Sequence, residues 1–278
     1  MFMTTYNFSV FQDTLNISYG DIQYFDSNLY CTAKYTQPYI ARISTSGVVT
    51  PISTESVFAD AIIALAVYGP NTIYCSNVSG LIYKVTNGIA SEPIADIGIS
   101  ILSMTLNADR SILYFATSTK IYAMGTLPPT TPVEFTTGFT NLYCIRFYNI
   151  LYASVQGTTL YRINTDGTIE ETINLSKNIS GMAIDNGYWY VTNHLSDSGI
   201  SLLNNISLTD ITTNLLTNSE SANIVFDSDD YAYYLKTNTG VTSGIYKSSP
   251  AFSLNGGTKI LCMNNQLKDE YIAIENSK

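Results

Sequence analysis

Apolar and polar residues alternate along this chain in runs of four to seven, and each run stops at Gly, Asn, Asp, Ser or Pro. That pattern predicts short strands joined by tight turns. Helical spacing is almost absent, which excludes a helical solenoid or an alternating βαβ fold. The clearest unit runs from Leu151 to Ile169, LYASVQGTTLYRINTDGTI, and reads as two strands, an Asp166-Gly167 turn and a third strand.

Weaker copies of that unit recur. The apolar run around Tyr152 returns around Tyr30, Tyr74, Tyr114, Tyr190, Tyr234 and Tyr271, every 37–44 residues. A period of that size suits a propeller blade of four strands. A second run follows each tyrosine, and three of these lead into Ser46-Gly47, Asn87-Gly88 and Asp166-Gly167, dipeptides that form tight hairpins. A short apolar segment with a polar turn precedes the tyrosine, as in MAIDNGYWY from Met182 and IVFDSDDYAYY from Ile224. These are the expected innermost strands.

The chain ends set the blade number. KILCMNN and DEYIAIEN near the C-terminus supply two strands, and TYNFSVF and DTLNIS near the N-terminus supply two more without a partner. The expected fold is therefore all-β, a seven-bladed β-propeller whose last blade is closed by N-terminal strands, in a single domain over residues 1–278. A six-bladed ring is the alternative, with one tyrosine copy forming no blade of its own.

Composition narrows the chemistry. Hydrophobic residues make up 45% of the chain, and the 22 tyrosines recur where blade should pack on blade, so the tyrosine stripe reads as packing. Charged residues are only 13%, with 13 Lys and Arg scattered through a chain of net charge −9. Nucleic acid and membrane are accordingly not expected as partners. Neither a signal peptide nor a membrane-spanning stretch is visible, so a soluble protein is expected, of unknown localisation. Cys31, Cys75, Cys144 and Cys262 lack metal-ligand spacing and read as buried thiols. Abundant Asn, Ile and Tyr with few Arg is the bias of an AT-rich genome, as in some viruses, parasites and bacteria.

The segment GMAIDNGYWYVTN, from Gly181 to Asn193, with ISLLN after it, resembles an NHL repeat. The remaining blades match more loosely, and the pattern is similar to that of gluconolactonase-like propellers. That resemblance implies a site at one mouth of the central channel, and in the gluconolactonase-like family a divalent ion held there by Glu, Asn and Asp. On this strand reading the mouth collects Asp21, Asp60, Asn141 and Asn223 from strand openings, and Asn77, Asn193, His194 and Asn238 from loops. Asp21 and Asp60 would be the carboxylate ligands of a Ca²⁺ or similar ion, if one is bound. No Glu lies at a strand opening, a departure from the family set. The single histidine, His194, has no partner adjacent in sequence. Asp109, Asp185, Asp227, Asp229 and Asp230 fall in turns on the opposite face and read as turn formers.

Two functions compete on this reading. One is a non-enzymatic interaction scaffold that binds a protein or glycan through one face and needs no cofactor. The other is a metal-dependent hydrolase or lactonase with its site in the channel mouth.

Overall fold

The computed structural model describes residues 7–12, 19–33, 40–53, 58, 60–185, 188–193, 199–204, 207–213, 223–236 and 244–249. Its described residues form strands and turns in five hydrogen-bonded sheets, arranged as a β-propeller.

Strand β1 (Asn7–Gln12) leaves its neighbours in sequence and joins the far end of the fold. A four-stranded sheet follows, made of β2 (Tyr19–Phe25), β3 (Asn28–Ala33), β4 (Ile40–Ser44) and β5 (Val49–Ser53). The second sheet holds β6 (Ile62–Gly69), β7 (Thr72–Asn77) and β8 (Leu81–Thr86). Its outer edge is split between β9 (Ile89–Ala90) and β10 (Ala95–Asp96). The third holds β11 (Ser103–Leu106), β12 (Ile112–Ala116), β13 (Lys120–Gly125) and β14 (Val133–Thr137).

The fourth sheet has seven strands. Strands β15 (Leu142–Tyr148), β16 (Ile150–Val155) and β17 (Gly157–Ile163) lead into β18 (Ile169–Asp185), and β19 (Tyr188–Asn193), β20 (Gly199–Asn204) and β21 (Ser207–Thr213) continue from it. The 17-residue β18 is the outermost strand of one repeat unit in its first half and the innermost strand of the next in its second half. The last sheet is β22 (Ile224–Phe226), β23 (Ala232–Lys236) and β24 (Gly244–Ser249), with β1 as its outermost strand. The N-terminal strand thus completes the last described sheet, with β24 of the Tyr234 unit as its partner, whereas the sequence reading places it in a seventh unit with KILCMNN and DEYIAIEN. Those two segments, and DTLNIS, lie outside the described residues.

Successive units pack face to face through alternating side chains. Ile22, Leu29, Cys31, Ala41 and Ile43 of the first sheet meet Val225, Tyr233, Leu235 and Ile245 of the last, so first and last units share one core. Among the described side chains, the repeat tyrosines pack between units as their periodicity predicts, with Tyr152 half-buried. Tyr30, Tyr74, Tyr114 and Tyr190 are all buried. The Tyr30 hydroxyl donates to the Pro70 carbonyl at 3.4 Å, and the Tyr74 hydroxyl to the Thr126 carbonyl at 2.7 Å, each in the following unit. A buried aromatic body with a satisfied hydroxyl is stable between two sheets.

The third-to-fourth-strand hairpins complete the contact between units. Gly167 has φ +87° and lies so close to the preceding sheet that a Cβ would fall 2.3 Å from the Phe135 carbonyl oxygen. Only glycine meets both demands.

Candidate functional site

An innermost propeller strand has one paired edge and one edge facing the channel. The N–H and C=O groups on the free edge need partners, since an unpaired buried backbone group is costly. Here two innermost strands supply those partners with side chains. In β2, the Asp21 carboxylate accepts the Leu65 N–H at 3.2 Å. The Gln23 amide accepts the Val67 N–H at 3.1 Å and donates to the Leu65 carbonyl at 2.6 Å, so both residues serve the edge of β6. In β11, Ser103 and Thr105 accept the N–H groups of Ile145 and Phe147 at 3.2 and 3.3 Å on β15. Gln23, Thr105 and Arg146 all sit directly opposite a repeat tyrosine, at Tyr30, Tyr114 and Tyr152. The same register position on an innermost strand therefore holds a polar side chain in three units.

Asp21 is the centre of this layer. Its Oδ1 accepts the Ile22 N–H at 2.8 Å and the Asn223 side-chain amide at 2.9 Å, and its own N–H donates to Thr32 Oγ1. Arg146 Nη2 lies 3.9 Å from Oδ1 and has no closer acceptor, while Nη1 donates to the Ile145 carbonyl at 2.9 Å and to Ser103 Oγ at 3.3 Å. Burial raises the Asp21 carboxyl above its ordinary value of 3.8, against the opposing pull of the Arg146 guanidinium and the Leu65 and Ile22 amides. Cys144, on the same strand as Arg146, is buried, and burial pushes its thiol up.

The expected mouth residues divide. Asp21 and Asn223 come together, in a direct hydrogen bond between first and last sheets. Asp60 is exposed, and its carboxylate caps a loop by accepting from the Ala61 N–H and the Ser79 hydroxyl. Asn77 is buried as a loop organiser: its amide donates to the Phe58 carbonyl, and its carbonyl accepts from Ser79 and Leu81. Asn141 occupies the left-handed region at φ 56° and its backbone carbonyl accepts the Gln156 N–H. Asn193 ends β19 and pairs with Ile179. His194 and Asn238 lie outside the described residues. No group of three or more His, Cys, Asp and Glu side chains converges among the described residues.

Sequence reasoning missed Gln23, Ser103, Thr105 and Arg146. A usable signal existed for Arg146, which interrupts the apolar run LYCIRFY. The opposite face matches its sequence reading where it is described. Asp109 accepts from the Ser111 N–H and hydroxyl, and Asp227 from the Asp229 and Tyr231 N–H groups, so both form turns.

No family model matches this sequence, and comparison with curated proteins gave no match. Solved structures do match. The chain is similar to a gluconolactonase from Xanthomonas campestris important in glucose secondary metabolic pathways, at TM-score 0.68 and 12% identity over 88% of this chain and 90% of that one. It is similar to hydrazine synthase from Kuenenia stuttgartiensis, at TM-score 0.57 and 13% identity over 76% and 74%. A chain of a mitotic checkpoint complex matches at TM-score 0.56 and 10% identity over 82% and 74%. These likenesses establish the β-propeller fold, the architecture that the NHL-like and gluconolactonase-like resemblance implies.

Proposed function

We propose that this chain is a non-enzymatic binding scaffold that holds a protein or glycan partner on one face of a six-bladed ring. Six blades, the alternative to the seven counted from the tyrosines, are supported by the core that the first and last described sheets share and by the Asn223–Asp21 bond between them. β1 takes the fourth place in that last described sheet, which favours the same count.

The state of the channel carries the functional reading. A hydrolase of this architecture would need reactive groups free to meet a substrate at the mouth, whereas here the buried Asp21 carboxylate is consumed by backbone and side-chain donors. Arg146 Nη2 is sealed from solvent beside it. A divalent ion fits these residues poorly. Ca²⁺ takes six to eight oxygen ligands, but Asp21 is surrounded by N–H donors and a guanidinium, and Asp60 is tied to Ser79 at the surface.

The test is the metal content of the natively purified protein, with its melting temperature read in chelator and in added Ca²⁺, alongside a lactone-hydrolysis screen. The scaffold reading expects no stoichiometric metal, no shift and no turnover. Stoichiometric metal that Asp21→Ala abolishes, or lactone turnover that it abolishes, would replace this reading with the hydrolase.

A further inference from the structure

Large hydrophobic side chains are exposed unevenly on this molecule. Among the described residues seven are exposed, and six of them, Val48, Ile89, Leu127, Val133, Tyr148 and Ile169, lie at one end of the propeller. Ile99 is the seventh and lies at the other end, against the Gly80 loop. The shared end follows from connectivity. In antiparallel four-stranded units the first-to-second and third-to-fourth turns emerge together, and the Asn87 N–H bonds the Asn71 carbonyl and the Thr126 N–H the Ser111 carbonyl between such turns. Scattered single hydrophobics are ordinary on a soluble surface. This set is not scattered, because Val48 and Ile89 directly follow the hairpin glycine in two units, Ile169 comes one residue later, after Thr168, in a third, and Leu127 stands in the corresponding turn of a fourth.

The hairpins also bridge units, so their tips make a rim. Gly88 lies against Ile52 of the first sheet, Gly167 against Phe135 of the third, and Gly47 against Phe11 of β1.

Among the described residues, the exposed charge at this end that no ion pair takes up is acidic. Asp26, Asp109, Asp166 and Asp229 are exposed there. The Ser111 and Thr168 hydroxyls and amides hold Asp109 and Asp166 below the usual carboxylate range, so both stay ionised near neutral pH. The described bases at this end are occupied. Arg110 bonds the Tyr68 carbonyl and lies over Phe25, Arg162 pairs with Glu170 and Glu171, and Lys247 lies over Tyr231.

Resting on the scaffold reading, we infer that this end docks a basic amphipathic segment of another protein, its apolar side chains on the aliphatic rim and its Lys or Arg against the aspartates. Alternating patches of exposed aliphatic and carboxylate are the complement of such a segment.

The probe is a labelled 18-residue peptide of Leu and Lys at amphipathic helical spacing, titrated with the full chain and followed by anisotropy. A second peptide replaces every Leu with Ser at the same charge. The combined variant Val48→Ser, Ile89→Ser, Leu127→Ser and Ile169→Ser should keep its melting temperature, since each side chain is exposed, and weaken Leu/Lys binding at least tenfold. Ile99→Ser at the other end should change nothing, and the Ser/Lys peptide should bind the unaltered chain at least tenfold more weakly. Equal binding by the fourfold variant, equal binding of the two peptides, or no binding at all would overturn the inference. So would a dimer in sedimentation velocity that the fourfold variant dissociates, because a second copy would then be the occupant. None of these outcomes bears on the metal and lactone tests, so the scaffold reading stands or falls separately.

Discussion

Replacing Asp21 with alanine removes the acceptor at the centre of the channel layer. The Leu65 and Ile22 N–H groups lose their side-chain acceptor inside the fold, the Asn223 amide loses its partner, and Arg146 loses its counter-charge. A buried donor left unsatisfied costs about 1–3 kcal/mol, and breaking a buried ion pair from one side costs about 3–5 kcal/mol. Asn223 is only half-buried and can turn to water, and Arg146 keeps its bonds to Ser103 and Ile145. The total expected for Asp21→Ala is therefore about 3–5 kcal/mol rather than the sum of every lost contact. At about 2–3 °C per kcal/mol for a chain of this size, the melting temperature should fall by about 6–15 °C. Asp21→Asn keeps one oxygen acceptor and should lose about 1–2 kcal/mol. Urea denaturation read by tyrosine fluorescence gives both values. Arg146→Met should cost less in the Asp21→Ala background than in the unaltered chain, because the two side chains share one interaction. An Asp21→Ala protein within 1 kcal/mol of the original would refute the claim that this carboxylate is a structural tie.

Three further outcomes follow from the same geometry. Because burial raises the folded-state pKa of Asp21 above 3.8, the folded protein binds the extra proton between that value and its own pKa; the contribution of Asp21 to stability should therefore fall as pH rises through that window, and Asp21→Asn should remove this slope from a pH series of urea midpoints. Cys31, Cys75 and Cys144 are buried with thiols pushed up, Cys31 to about 12, so native-state labelling at pH 8 should leave the peptides carrying them unmodified until denaturant is added. Gly167→Ala should destabilise by about 2 kcal/mol or more, combining left-handed strain with overlap against Phe135, whereas Gly98→Ala at φ +67° meets nothing within 4 Å and should cost about 1 kcal/mol; melting temperatures of the pair compare them directly.

The architecture was legible because it is written in period and alternation, which side-chain burial enforces in every unit. The tyrosine repeat as far as it is described, and the Gly47, Gly88 and Gly167 hairpins, stand in the structure, and Asn7–Gln12 does complete a sheet from the far end of the chain. The partner of that N-terminal strand did not follow from periodicity, since β24 offers the same apolar run as any third strand and only packing against the first sheet selects it. Within the site, Asp21 and Asn223 were legible as strand openings. Their role was not, because it depends on Leu65 and Arg146, about 44 and 125 residues away, and a free strand edge in the channel has no local sequence mark. Asp60 and Asn77 were singled out for oxygen ligands, yet the loop backbone beside them uses those oxygens first.

The β1–β24 ladder sets how the ring responds to force. Asn7 pairs with Ser249 at one end and Gln12 with Ile245 at the other. Residues 7 and 249 thus stand at the same end of the ladder. Tension between residues 7 and 249 loads its rungs one after another, as in opening a zip, rather than all together in shear. A pull between these two residues consequently peels this seam first, and it parts rung by rung before any other described sheet bears load.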